Sequence, residues 1–288
     1  MNYPLQYNPP SHTLIHVSDS QLVDENGSWN GFTLDADAKL SETVATIVSS
    51  NRRADAIIFT GDIADNGEEG AYHKLLKITE PLKAISDNIL WVMGNHDKRE
   101  PFKTLLLNEQ ANDKPVDYVI NINGLNMIVL DTTVPGKHYG EITDDQLAWL
   151  DEQLQIETPY GSILALHHPP VPVIMPLAIT VELHEQKKLA AVIKRAKNLR
   201  SIIGGHMHYS VFSTFAGVPV SVASSTCYTQ DLGTIIGATR GRDTGQAYNL
   251  IEIYDENIVH AVVPIGLSNV IGKEVSPHEV NKILNDEK

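Results

Sequence analysis

Five short polar segments, each directly after an apolar run of β-strand type, constrain the fold of this chain most. They are Asp19-Ser20-Gln21, Gly61-Asp62, Gly94-Asn95-His96-Asp97, His167-His168 and Gly204-Gly205-His206-Met207-His208. Polar sites in open α/β sheets lie beyond the carboxyl ends of the strands. Carboxylate, amide and imidazole groups are ligands for borderline-hard divalent metals. The segments therefore predict that five strand ends converge at one edge of a sheet and form a two-metal centre.

The spacing within the segments adds a directional prediction. His206 and His208 are two residues apart, so on an extended chain their side chains point the same way. The same parity places Asp19 and Gln21 on one side. Taken singly, Asp19 is better explained as a turn residue than as a ligand, and Asp62 after Gly61 is also explained as a turn cap. The prediction depends on the joint occurrence of all five segments.

Hydrophobic periodicity predicts alternating strands and helices. We expect strands at 13–17, 56–59, 89–93, 163–166, 201–203, 219–222 and 247–254, and a hairpin of 118–122 with 127–130. We expect helices at 35–49, 69–78, 102–107 and 183–197, one opened by a Thr143–Gln146 capping box, and a final one after Ser276. This order predicts two sheets with helices packed outside. We expect one domain over 1–288, in which 209–288 is a β-rich part with the final helix.

Composition narrows the class of protein. The formal net charge of the 288 residues is −14, which argues against a nucleic-acid partner. The single Cys227 excludes an intramolecular disulfide and suits a reducing compartment. The first ten residues lack a signal-peptide pattern, and no apolar segment approaches the roughly 20 residues that span a bilayer. We expect a soluble cytoplasmic protein without a membrane span.

Longer strings around the five segments carry a family resemblance. They are FTGDIAD at 59–65, WVMGNHD at 91–97, VPGKHYGEI at 134–142, ALHHPP at 165–170, ASSTCYTQD at 223–231 and TRGRD at 239–243. The chain resembles the calcineurin-like metallophosphoesterases, and within them the class III cyclic nucleotide phosphodiesterases, from about Leu14 to about Pro277. The resemblance implies a four-layer αββα sandwich of two mixed β-sheets flanked by helices.

The resemblance also implies a dinuclear metal centre. Asp62 would bridge the two ions, and Asp19 and His208 would complete metal site 1, with Gln21 where the family has a histidine. Metal site 2 would comprise Asn95, His167 and His206 with the shared Asp62. The implied cofactors are two divalent or trivalent ions, manganese or iron foremost, with zinc or magnesium also open.

The implied reaction is hydrolysis of a 3′,5′-cyclic nucleotide, cyclic AMP foremost, to the 5′-monophosphate. A metal-bridging hydroxide would attack the phosphorus in line. His96, Asp97 and Asn95 would be catalytic: His96 would act on the leaving oxygen, with Asp97 orienting its ring. Asn95, His96 and His138, on an overhanging loop, would contact the substrate.

Two other functions remain open at this stage. One is a broader phosphodiesterase for 2′,3′-cyclic nucleotides or glycerophosphodiesters, because these enzymes share the ligand set. The other is a catalytically impaired protein that binds metal and nucleotide, because Gln21 replaces an imidazole.

Gln21 carries a hypothesis of its own. An amide oxygen is a harder and weaker ligand than imidazole, so we expect reduced affinity at metal site 1. We also expect its preference to move from iron or zinc toward manganese or magnesium. His16 has the wrong strand parity to supply the missing imidazole. The resemblance further implies a homodimer, with 209–288 at the interface.

Overall fold

The computed structural model describes residues 7–24, 34–174, 176–266, 272 and 275–286. Its strands are β1 His12–Val17, β2 Ala56–Thr60, β3 Ile89–Val92, β4 Tyr118–Ile122, β5 Leu125–Leu130, β6 Ser162–Leu166, β7 Leu199–Gly204, β8 Val211–Phe215, β9 Val218–Val222, β10 Thr229–Gln230, β11 Gly241–Arg242, β12 Ala247–Ile253 and β13 Ile258–Pro264. Its α-helices are α1 Ala36–Ser49, α2 Glu69–Thr79, α3 Arg99–Pro101, α4 Asp144–Leu154, α5 Ala178–Val181, α6 Gln186–Ile193 and α7 Pro277–Asp286. A 3₁₀-helix spans Glu80–Ala84, and a π-helix spans Phe102–Leu106.

Two mixed sheets form the centre of the described structure. The first has the order β13-β12-β1-β2-β3, and the second has the order β4-β5-β6-β7-β9-β8. Strands β1, β2 and β3 are mutually parallel, as are β5, β6, β7 and β9. The outer strands β12, β13, β4 and β8 pair antiparallel with their neighbours. Each sheet therefore has a parallel set whose carboxyl ends lie at one edge.

Three apolar clusters define the layers. Leu14 of β1 and Ile58 of β2 pack with Met127 and Ile163 of the second sheet, between the two sheets. The next residue along β1, Ile15, belongs instead to the cluster that contains α1 and α2. A third cluster joins the other face of the second sheet to α4 and α6. This alternation confirms the four-layer αββα arrangement.

Local sequence signals account for the helix ends. The Asp35 side chain accepts from the backbone N–H of Ala38 and starts α1. The expected capping box of Thr143 and Gln146 is present at the start of α4. Both expectations are confirmed.

The expectation of a helix over 183–197 is wrong in extent. Helix α6 spans only Gln186–Ile193, because Leu183 bridges Gly140 and Glu185 has a left-handed φ of 49°. The expected helix over 102–107 is instead α3 followed by the π-helix.

No helix within the described ranges has both the length and the apolar character that crossing a bilayer requires.

Candidate metal centre

The five polar segments converge, but at the neighbouring edges of two sheets. The segments that begin at Asp19, Gly61 and Gly94 follow β1, β2 and β3 of the first sheet. The segments at His167 and Gly204 follow or end β6 and β7 of the second. The expectation of one sheet edge is therefore wrong in detail. Face-to-face packing of the sheets brings both sets of parallel carboxyl ends together.

The first group of ligand-type atoms comes from Asp19, Asp62 and His208, all buried and within 4.8 Å of one another. His208 Nε2 lies 3.4 Å from Asp19 Oδ1. The other ring nitrogen, Nδ1, donates to the carbonyl oxygen of Tyr228 at 3.0 Å. This bond keeps the proton on Nδ1, so Nε2 turns its lone pair toward the carboxylates. These residues are the ones expected at metal site 1.

Gln21 lies in the same group. Its Nε2 donates to Asp62 Oδ2 at 3.2 Å and lies 3.4 Å from His208 Nε2. The amide nitrogen, rather than the oxygen, therefore faces the cluster in this conformation. Since the two amide atoms exchange places when the terminal group turns by about 180°, the oxygen can reach the same position.

The second group is centred on His167. Its Nε2 lies 3.3 Å from Asp62 Oδ2, 3.2 Å from Asn95 Oδ1 and 3.1 Å from His206 Nδ1. Ligands at about 2.0–2.1 Å from one metal ion are themselves separated by about 2.9–3.4 Å. The donor set and its spacing therefore fit a metal ion. Asp62 belongs to both groups.

Backbone carbonyl groups set the orientation of the two imidazoles. His167 Nδ1 donates to Thr60 O at 2.7 Å, and His206 Nε2 donates to Val181 O at 2.7 Å. Each bond turns the other ring nitrogen toward the group, as is usual for metal-binding histidines. His168 is adjacent, but both its ring nitrogens have partners: Thr132 Oγ1 at 2.8 Å and His138 O at 3.1 Å.

The expected extended geometry of these segments is wrong. His206 and His208 have φ values of 69° and 55°, and Asp19 and Gln21 have values of 53° and 51°. These left-handed conformations turn successive side chains in directions that strand parity does not give. His206 and His208 consequently serve different groups.

Electrostatics couples the buried charges. Burial opposes ionisation of Asp62, but the nearby His167 holds the pKa of that carboxyl well below its usual range. Burial likewise opposes protonation of His167, but Asp62 raises its pKa to about 9. Burial, together with the charge of His167, lowers the pKa of His206 to about 3. Without a cation, His167 is therefore protonated beside the ionised Asp62, and a metal ion would displace that proton, which is the chemistry of a cation site.

His96 lies at the rim of the two groups. Its backbone N–H donates to Asp62 Oδ1 at 2.9 Å, and its ring Nε2 is 4.0 Å from Asp62 Oδ2. Ring Nδ1 donates to the carbonyl oxygen of Asp65 at 2.7 Å and lies 3.6 Å from its carboxylate. Asp65 therefore orients the ring.

Asp97 does not have the position we expected. Its carboxylate accepts from the backbone N–H groups of Ile63, Ala64 and Gly94, at 3.3, 3.1 and 2.9 Å, and from the Tyr72 hydroxyl at 2.9 Å. The prediction that Asp97 orients the His96 ring is wrong, because these four donors occupy the carboxylate. Asp97 instead ties the loop after β2 to the loop after β3.

His138 reaches the site from the loop after β5. Its Nδ1 is 3.2 Å from Asn95 Nδ2, and its ring centroid is 5.4 Å from that of His96.

Sequence reasoning missed Asp65, Thr60 and Tyr228. All three act through backbone carbonyl groups, for which a sequence has no signature.

Two cavities meet at this centre. One of about 150 Å³ is lined by ligand-type residues including Asp62, His206 and His208. A neighbouring cavity of about 650 Å³ is lined by Asn66, Lys98 and Val134 among others. Both are lined by Asn95 and His96, which therefore form a common wall.

Two facing mixed sheets with outer helices, and Asp, Asn and His loops at the joined carboxyl ends, define the metallophosphoesterase class of folds. The chain belongs to the calcineurin-like phosphoesterase family, whose model matches residues 12–210. Members of this family use a dinuclear metal centre.

Curated relatives narrow the group within the family. The chain is 51% identical over 275 residues to a probable cyclic nucleotide phosphodiesterase of Rhodococcus erythropolis, covering 95% of this chain and 90% of that protein. It is 47% identical over 274 residues to a cAMP/cGMP dual specificity phosphodiesterase of Mycobacterium tuberculosis, covering 95% and 86%. A dimetal phosphatase from Danio rerio shares the fold with a TM-score of 0.64 at 17% identity, covering 88% and 96%.

Proposed function

We propose that this protein is a metal-dependent phosphodiesterase that hydrolyses 3′,5′-cyclic nucleotides, cyclic AMP foremost, to 5′-monophosphates. The observation that carries the proposal is the pair of ligand groups that share Asp62. Such a pair holds two ions close together, as enzymes of in-line displacement at phosphorus require. The names of the relatives at 47–51% identity support the choice of substrate.

Each ligand-type residue has a proposed role. Asp62 would hold both ions, and Asp19, His208 and the turned amide oxygen of Gln21 would complete metal site 1. Asn95 Oδ1, His167 Nε2 and His206 Nδ1 would complete metal site 2. When bound, the two ions supply an activated water nucleophile and neutralise phosphodiester charge. We propose manganese or iron, with zinc or magnesium as alternatives.

His96 is the proposed general acid. The bond from its Nδ1 to Asp65 O leaves Nε2 directed toward Asp62 and the cavities. From there Nε2 can donate a proton to the leaving 3′ oxygen. Asn95 has its Oδ1 toward His167 and its Nδ2 3.2 Å from His138 Nδ1, and the second N–H of Nδ2 would bind a phosphate oxygen. Asp97 contributes by holding the two loops in register.

The nucleoside is proposed to lie in the larger cavity. The cavity of about 150 Å³ is below the roughly 300–1,000 Å³ of ligand pockets, whereas that of about 650 Å³ is within it. Because His96 separates them, a sugar attached to the leaving oxygen extends past His96 into the larger cavity. His138, at the rim of the smaller one, would contact the ribose or base.

We further propose a homodimer that uses part of 209–288. Its support is a set of large apolar side chains there with high exposure: Leu232 49%, Ile235 79%, Ile236 105% and Val259 46%. Light scattering at working concentration tests this assembly, and a monomer would refute it.

The buried free thiol of Cys227 supports a reducing, cytoplasmic location.

Manganese titration of metal-stripped protein tests the enzyme. We expect cyclic AMP hydrolysis to rise with added Mn²⁺ and to saturate at two or more equivalents. Specificity constants for 3′,5′-cyclic AMP, 2′,3′-cyclic AMP and glycerophosphocholine then rank the substrate classes. Asp62→Asn is the control without activity. Metal binding without turnover of any of the three would refute the enzyme and favour a binding protein.

A further inference from the structure

A chain of buried hydrogen bonds joins His16 to Asp19. His16 Nε2 lies 2.8 Å from Thr60 Oγ1, and the Thr60 hydroxyl donates to Ser18 Oγ at 2.8 Å. The Ser18 hydroxyl in turn donates to Asp19 Oδ2 at 2.5 Å. All four residues are at most 1% exposed. An ionised carboxylate only accepts, so each hydroxyl points toward Asp19 and the proton on His16 lies on Nε2.

This chain determines which oxygen Asp19 presents. Oδ2 accepts from Ser18, and the backbone N–H of His206 lies 3.0 Å from Oδ2 and 3.2 Å from Oδ1. Oδ1 faces His208 Nε2 at 3.4 Å. Thr60 also accepts from His167 Nδ1 through its carbonyl group. One residue therefore links the orientation of Asp19 to that of His167.

Packing alone does not account for a histidine at position 16. The side chain is fully buried, and Asn249 is opposite His16 across β1 and β12. Within the described part of the chain, His16 Nδ1, Asn249 Oδ1 and His260 Nδ1 are buried without a hydrogen-bond partner. Burial lowers the pKa of His16 to about 3, so the imidazole is neutral. Unpaired buried polar atoms destabilise a fold, so an apolar side chain would serve the interior better.

We propose that His16 is a positioning residue of the metal centre, which acts through Thr60 and Ser18 to hold Asp19 Oδ1 toward the ion at metal site 1. The inference rests on the proposed two-metal function. Hydrogen-bond partners of metal ligands fix ligand orientation, and their loss weakens metal binding by roughly 10–100-fold. Metal site 1 depends strongly on the orientation of the Asp19 carboxylate, because another of its ligands, the Gln21 amide oxygen, is a weaker donor than imidazole.

Paired variants test the relay. Thr60→Val removes the hydroxyl at nearly constant volume and keeps the carbonyl to His167, whereas Thr60→Ser keeps both groups. His16→Leu removes the donor, whereas His16→Gln retains an N–H that can reach Thr60. Thr43→Val is the matched control, because the Thr43 hydroxyl is equally buried but bonds only the Lys39 carbonyl in α1.

The measurement is Mn²⁺ binding to metal-stripped protein by calorimetry, with Co²⁺ absorption spectra as a second readout. We expect one of the two Mn²⁺ affinities to fall about tenfold or more in Thr60→Val and His16→Leu. The other affinity should stay within about twofold. Thr60→Ser, His16→Gln and Thr43→Val should bind like the wild type.

A purely structural role gives a different pattern. Both Mn²⁺ affinities would then stay unchanged in Thr60→Val and His16→Leu, whatever the change in the Tm of the metal-free protein, and this result would overturn the inference. A wild-type protein that binds two Mn²⁺ but hydrolyses no phosphodiester would overturn the proposed function instead. The comparison of metal affinities would remain valid in that case.

Discussion

Replacing Gln21 by histidine is expected to tighten metal binding at metal site 1. The Gln21 N–H₂ group contacts two atoms that would bind a cation. They are Asp62 Oδ2 at 3.2 Å and His208 Nε2 at 3.4 Å. An ion must break these contacts and turn the amide before it binds. An imidazole oriented like that of His208 would instead face the ion with a lone pair. Neither side chain is β-branched, so the left-handed backbone at position 21 tolerates both.

The magnitude follows from the contact with Asp62. A hydrogen bond to a charged group contributes about 1.5–3 kcal/mol. Because each 1.4 kcal/mol is a factor of ten, Gln21→His should bind the weaker Mn²⁺ roughly ten- to hundredfold more tightly. The ratio of zinc to manganese affinity should also rise, because imidazole is a softer donor than an amide oxygen.

The assay is calorimetric titration of metal-stripped protein with Mn²⁺ and Zn²⁺, beside Gln21→Ala as the control. Loss of the amide oxygen should make Gln21→Ala the weakest binder of the three. Equal stoichiometry and affinity in the wild type, Gln21→His and Gln21→Ala would refute the reasoning. Tighter binding in Gln21→Ala than in the wild type would show that the amide only competes with the ion.

Three further predictions concern separate parts of the structure. His96→Ala should lower kcat for cyclic AMP by about 10²–10⁴-fold if His96 protonates the leaving oxygen. The check is a 4-nitrophenyl diester, whose leaving group needs no proton and whose kcat should therefore fall much less. Equal losses of kcat for the two substrates would contradict the assignment. Gly94→Ala should abolish Mn²⁺ binding, because a Cβ there would lie 2.0 Å from Asp62 N and 2.3 Å from Asp62 Oδ1; calorimetry that returned wild-type affinity would exclude this clash. Asp117 has its pKa raised to about 6 by burial, so the folded state binds more protons than the unfolded state between about pH 4 and 6. Its contribution to stability is largest at low pH and falls through that window, and Asp117→Asn should flatten the decline in Tm measured across it; parallel curves would refute the assignment.

Much of the fold was predictable because burial on both faces and helix capping leave strong local patterns. The strands before each polar segment, the Thr143–Gln146 capping box and the hairpin around Asn123-Gly124 were all visible in the sequence. The extent of α6 was not, because the contact of Leu183 with Gly140 is a long-range one that overrides local periodicity.

By itself, the sequence determined which side chains are of metal-ligand type and that each follows a strand. The carboxyl end of a parallel strand is defined by chain direction alone, so this inference needed no coordinates. The family strings determined the class of protein. They also needed no coordinates, because each string is recognised from its residue types alone.

Tertiary structure alone decided which atoms meet. Left-handed turns at His206 and His208 give their side chains directions that strand parity does not predict, and backbone donors from two loops hold the Asp97 carboxylate away from the His96 ring. The Gln21 amide faces Asp62 through its nitrogen, and His16 reaches Asp19 through the hydroxyl groups of Thr60, at the end of β2, and Ser18, just after β1. These contacts depend on backbone carbonyl and N–H groups and on the packing of the two sheets. The identity of a single residue encodes neither the positions of these backbone groups nor the packing of the sheets.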